Sequence, residues 1–135
     1  MSLSDGVHRM PIQVRFGDTD MFGHVNNAAF ATYAELGRLR FLGSLDYAPG
    51  GLILARIALD FRHQLRYGSD AELETRVKRV GTTSLELDQR LLADDVVVCE
   101  MASVVVFYDY AAQRPKRVPD DLRAILEGYR ERAGG

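Results

Sequence analysis

A chain of 135 residues is the usual size of one compact domain, and folding at this length hides about 68% of the unfolded surface, enough for one core without staples and too little for two. Hydrophobic residues make up 47% and charged residues 27%, which excludes extended disorder and collagen-like or low-complexity structure for the bulk of the chain. With 17 basic and 19 acidic residues the net charge is -2, without the basic excess of a dedicated nucleic-acid binder.

Cys99 is the single cysteine, so no intrachain disulfide forms, and a cytoplasmic setting is expected. No apolar run approaches the length of a membrane span. Residues 1–10 lack the hydrophobic region of a signal peptide and read as a short tail, leaving residues 11–133 as a single domain. His8, His24 and His63 are far apart and have no cysteine pair to join them, so no metal site is expected. The chain has no Gly-x-Ser-x-Gly elbow, phosphate-binding P-loop, dinucleotide glycine pattern or internal repeat. An enzyme that works with carboxylates remains.

In chain order, Gln13-Val14-Arg15-Phe16 alternates as a short strand and runs into the loop chemistry of Gly17-Asp18-Thr19-Asp20. Asn26 and Asn27 offer N-cap side chains for a helix over residues 28–45, about 27 Å long. Its apolar residues, Phe30, Tyr33, Leu36, Leu39, Phe41 and Leu42, surround most of the axis and predict a buried helix. Gly37 in the middle costs about 1 kcal/mol against alanine, which points to close packing on a sheet. Pro49-Gly50-Gly51 ends the element.

From Ile53 to Tyr67 the odd positions are apolar or histidine, predicting one long strand with a face on the core. Residues 71–80 and 84–93 alternate likewise, separated by Gly81-Thr82-Thr83, and residues 96–108 are apolar on both faces, as in a central strand. Residues 113–119 read as a polar loop and residues 120–133 as a closing amphipathic helix. Short turns make consecutive strands antiparallel neighbours. The expected fold is α+β, an antiparallel sheet of about five strands wrapped around the long helix. One helix covers one face, so a second chain is expected to bury what is left.

The chemistry concentrates in Asp18, Asp20, His24, Asn26 and Asn27, in the loop that leads into the helix. A helix start has unpaired N–H groups and a positive dipole end, which can hold an oxyanion developing on a carbonyl. A carboxylate beside it can attack that carbonyl or activate water. Either aspartate can instead serve as a turn-forming residue.

Asp18-Thr19-Asp20, Gly23-His24-Val25-Asn26-Asn27, the aromatics Phe30 and Tyr33 with Glu35, Tyr67-Gly68-Ser69-Asp70, and Arg114-Pro115 ahead of Val118-Pro119 together resemble the hotdog-fold acyl-CoA thioesterases of the 4-hydroxybenzoyl-CoA thioesterase type, over about residues 12–125. The resemblance implies a thioester hydrolase with Asp20 as nucleophile or general base, the Asn27 N–H as oxyanion donor and His24 in the site. Phe22, Tyr33 and His63 become candidates for substrate contact, and Phe22 stands where plant acyl-carrier-protein thioesterases have an asparagine. The CoA nucleotide falls on Lys78, Arg79, Thr82, Thr83 and Ser84. The implied substrate is a small-molecule acyl-CoA, with no cofactor beyond the coenzyme A of the substrate itself. The expected assembly is a homodimer or a homotetramer built as a dimer of dimers. The other readings are a hotdog acyl-thioester dehydratase or hydratase, and a non-catalytic acyl-CoA-binding module.

Overall fold

The computed structural model describes residues 5–47 and 50–134. Strand β1 (His8–Ile12) precedes a 3-10 turn (Phe16–Asp18) and helix α1 (Asn27–Ser44). Strands β2 (Leu52–Phe61), β3 (Ala71–Val80), β4 (Ser84–Ala93), β5 (Val96–Asp109) and the two-residue β6 (Arg114–Pro115) follow, and helix α2 (Asp120–Arg132) closes the chain.

The sheet order is β1-β3-β4-β5-β2, antiparallel throughout, with β6 on β5. The expectation that consecutive strands neighbour each other holds for β3 to β5 and fails for β2. Residues 62–70 carry the chain from one edge of the sheet towards the other, so β2 pairs with β5 and leaves its other side open.

The first strand lies earlier than the alternation of Gln13–Phe16 suggested. His8, Arg9 and Met10, assigned by sequence to the tail, pair with Thr75, Glu74 and Leu73. Pro11 is tolerated because β1 is an edge strand, where a missing N–H breaks no central ladder.

Helix α1 starts where expected. Asn26 is its N-cap, and its side chain accepts from the Ala28 N–H at 2.9 Å. Pro49, assigned by sequence to end the element, lies outside the described residues, and the helix stops at Ser44 without it. Phe30, Tyr33, Ala34, Gly37, Phe41 and Leu42 face the sheet, whereas Leu36 and Leu39 are exposed, so the helix is buried on one side in the single chain.

Gly37 is the point of closest approach. A Cβ there would overlap Leu73 Cδ2 and lie 2.6 Å from Gln89 Nε2. Gln89 is buried and ties helix to sheet, its Nε2 donating to Ala34 O and to Thr75 Oγ1. Helix α2 covers the far end of α1 on the same face, through Leu122, Leu126 and Tyr129 against Phe41, Leu42, Val77 and Phe107. The architecture is the expected hotdog arrangement, a sheet curled around α1.

The opposite face of the sheet is charged. Glu74 is buried and meets Arg9 at 3.4 Å, Arg76 at 3.6 Å and Arg90 at 2.7 Å. Glu100, the one charge in the apolar run of β5, lies on this face and binds Arg62 at 2.9 Å.

Candidate active site

Residues 15–27 form a loop closed by short backbone bonds. Asp20 N–H donates to His24 O at 2.7 Å and Gly23 N–H to Asp20 O at 3.1 Å. Gly23 has φ +79°, the left-handed conformation that glycine adopts without cost. The loop is sewn to the segment after β2 by Val25 N–H on Leu65 O and by a bridge between His24 and Arg66.

The two aspartates separate sharply. Asp18 is buried and its carboxylate faces inward. Its Oδ2 accepts from Tyr33 OH at 2.8 Å and from Arg15 N–H at 3.0 Å, and its Oδ1 from Arg15 Nη2 at 3.3 Å. Burial alone pushes the Asp18 carboxyl up, but the bonds from Arg15 and Tyr33 outweigh it and hold the group below the ordinary carboxylate range. Burial and the Asp18 carboxylate push the Tyr33 phenol up.

Asp20 is exposed. Its Oδ1 accepts from Phe22 N–H at 2.9 Å and His24 N–H at 3.2 Å, and its Oδ2 has no hydrogen bond among the described residues. One oxygen is thus fixed by the loop and the other is not. Asn26 takes the Ala28 N–H with its side chain. Asn27 opens the helix, so its N–H has no intrahelical acceptor.

A cleft of about 320 Å³ gathers Asp20, His24, Asn27 and His63 with Phe30, Phe61, Arg62 and Leu65. Carboxylate, helix start and two imidazoles therefore share one space. Phe22 is 73% exposed on the loop and is not part of that lining. Tyr33 is also absent from it. Its hydroxyl is bonded to Asp18 behind the loop, and the side chain is buried in the single chain.

His63 comes from a different element than expected. Strand β2 ends at Phe61, and the backbone N–H groups of Arg62 and His63 both donate to Val98 O, which turns the chain out of the sheet. Phe61 and Arg62 were not singled out from the sequence as site residues. The signal for them is the end of the apolar alternation in a Phe-Arg-His run beside a loop.

Lys78, Arg79, Thr82, Thr83 and Ser84 are not brought to this cleft. They lie at the Val80 end of β3, while the Asp20 loop lies at the Ala71 end, roughly 30 Å away at the usual strand rise. Arg79 pairs with Glu86 at 3.3 Å, and the turn is held by Arg123 on Gly81 O and by Val118 N–H on Thr82 O. Cys99 is fully buried, and burial, with Asp60 and Glu100 nearby, pushes its thiol up to about 11. Among the described residues no cluster of three metal-ligating side chains forms, and no helix is long and apolar enough to cross a membrane.

Comparison with known proteins shows the family. Residues 14–126 match the Thioesterase-like superfamily, and the chain belongs to it. It is 25% identical over 124 residues to the acyl-CoA thioester hydrolase YbgC of Escherichia coli O6:H1, covering 86% of this chain and 92% of that one. It is 28% identical over 130 residues to the chloroplastic acyl-acyl carrier protein thioesterase ATL2 of Arabidopsis thaliana, covering 90% of this chain and 69% of that one. A thioesterase from Thermus thermophilus, solved in complex with coenzyme A and zinc, has a TM-score of 0.85 at 28% identity, covering 95% of this chain and 97% of that one.

Proposed function

We propose that the protein is an acyl-CoA thioesterase that uses Asp20 as its catalytic carboxylate and the start of α1 as its oxyanion site. The observation that carries this is the Asp20 side chain, held by Phe22 and His24 N–H groups through one oxygen, in the same cleft as the open Asn27 N–H.

Asp20 acts as base or nucleophile. As base, it takes a proton from water while the water oxygen bonds to the thioester carbon. The carbonyl electrons move onto oxygen, and the Asn27 N–H holds that charge. Collapse restores the C=O and breaks the C–S bond, and the thiolate leaves and takes the proton back from Asp20. As nucleophile, Asp20 bonds to the thioester carbon and the C–S bond breaks to release the thiolate; water then opens the resulting acyl anhydride, giving the free acid and the Asp20 carboxylate and a proton to the thiolate. His24 and His63 face the same space and are available to orient water or thiol.

The site is completed by a second copy. In one chain β2 has a free edge, and Leu54 and Phe61 on it are 43% and 44% exposed. If two β2 strands pair antiparallel, the Phe61 end of one meets the Leu52 end of the other. Leu52 lies beside Phe107, whose N–H binds Thr83 O. The second copy's turn at residues 78–84 thereby comes to the Asp20 cleft, where Lys78 and Arg79 can meet CoA phosphates. A cytoplasmic homodimer, alone or doubled into a tetramer, fits this reading.

The test is a panel of aromatic, short and long acyl-CoAs assayed for free thiol. Thiol release from at least one of them is expected. Loss of crotonyl-CoA absorbance without thiol release would indicate a hydratase instead, and tight binding with no turnover would indicate a binding module.

A further inference from the structure

We infer that Asp18 and Tyr33 are positioning residues, a buried clasp that sets the geometry of Asp20 and of the Asn27 N–H together without touching substrate. The inference rests on the proposed role of Asp20.

Asp18 bonds in three directions. Its carboxylate holds Arg15 N–H where the chain enters the loop, and Tyr33 OH in the second turn of α1. Its backbone carbonyl accepts from Asn26 N–H at 2.8 Å, the N-cap of α1 and the neighbour of Asn27. One residue therefore fixes the loop start, the helix start and the helix body relative to one another. Asp20 is two positions along the same rigid segment, and Thr19 between them bridges to Val25.

Burial gives the clasp its stiffness. Asp18 is 9% exposed and Tyr33 4%, so neither can exchange its bond for water without local opening. Phe30 packs edge-on against the Tyr33 ring and against Phe61, which lines the cleft, so the phenol is also wedged from the substrate side. Reaction geometry is sensitive to displacements of about 1 Å, which can cost on the order of 100-fold in rate.

The sharpest variant is Tyr33→Phe, which removes one hydroxyl and keeps the ring packing. It should lower kcat on the order of 10-fold with KM changed by less than about twofold. In amide NMR spectra the Phe22 and His24 resonances, which report the two bonds to Asp20 Oδ1, should shift or broaden while those of β4 stay in place. Asp18→Asn keeps an oxygen for Tyr33 and should lose less activity than Asp18→Ala.

An unchanged kcat in Tyr33→Phe, or a lowered kcat with the Phe22 and His24 resonances unmoved, overturns the clasp. Asp20→Ala measured in parallel separates the two ideas. Full turnover in Asp20→Ala refutes the role of Asp20, whereas loss of turnover there with Tyr33→Phe intact refutes the clasp alone.

Discussion

Asp18 and Asp20 are two residues apart, and burial assigns them different work. The Asp18 carboxyl sits below its ordinary value of 3.8 because its bonds to Arg15 and Tyr33 favour the charged form despite burial. The unfolded chain then binds a proton more readily than the folded one. The stabilisation is present above the unfolded value and is lost as pH falls through the folded one. Wild-type protein should therefore lose urea stability from about pH 4 downward more steeply than Asp18→Asn, which has no such proton to take up. Parallel curves for the two proteins would contradict the bond network. The sequence shows both aspartates before a helix, and Asx-turn chemistry is available to each. What tells them apart is Tyr33, 15 residues on, and that contact is set by how the loop folds back on α1.

At the scale of elements, Gly37 carries the helix-to-sheet contact. Alanine at this position gains about 1 kcal/mol of helix propensity but drives a methyl into Leu73 and the Gln89 amide. Overpacking costs typically about 1–3 kcal/mol, so Gly37→Ala should lower the urea midpoint, and a raised midpoint would show that the sheet gives way. The glycine in an apolar helix made this contact legible in advance. The turns and the strands β3 and β4 were equally legible, although the register of β3 also shifts, between Val77 and Arg79. Strand β2 was not. Its register shifts between Leu54 and Arg56, so Leu54 and Ile57 face the helix side although their numbers differ by three. The apparent alternation to Tyr67 also ran past the real end at Phe61. Leu65 is buried from a loop, and His63 reaches the cleft from outside the sheet.

At the scale of the molecule, the position of β2 follows from pairing with β5 far along the chain, from Phe61 with Cys99 to Leu52 with Phe107, which no local pattern reports. On the proposed reading the same pairing divides the site. The Asp20 cleft lies at one end of the sheet and the basic turn at the other, so each chain would hold two half-sites rather than one whole. The length of the chain agrees with that reading, since one helix in one sheet is too small to enclose a long acyl thioester alone, were that the substrate. The pieces of the proposed site were visible in the sequence, and so was the need for a second copy; the free edge of β2 that would join the copies was not.

We therefore propose that one reaction centre is assembled from the Asp20 end of one chain and the basic turn of another. Mixing tests it. Asp20→Ala and Lys78→Ala/Arg79→Ala proteins carry different tags, are unfolded and refolded together, and the doubly tagged species is purified. In that species one site holds both defects and the other holds none. Its kcat/KM for an acyl-CoA, measured as thiol release at low substrate, should reach about half that of wild type, well above either parent. A doubly tagged species no more active than the mean of its parents would contradict the account.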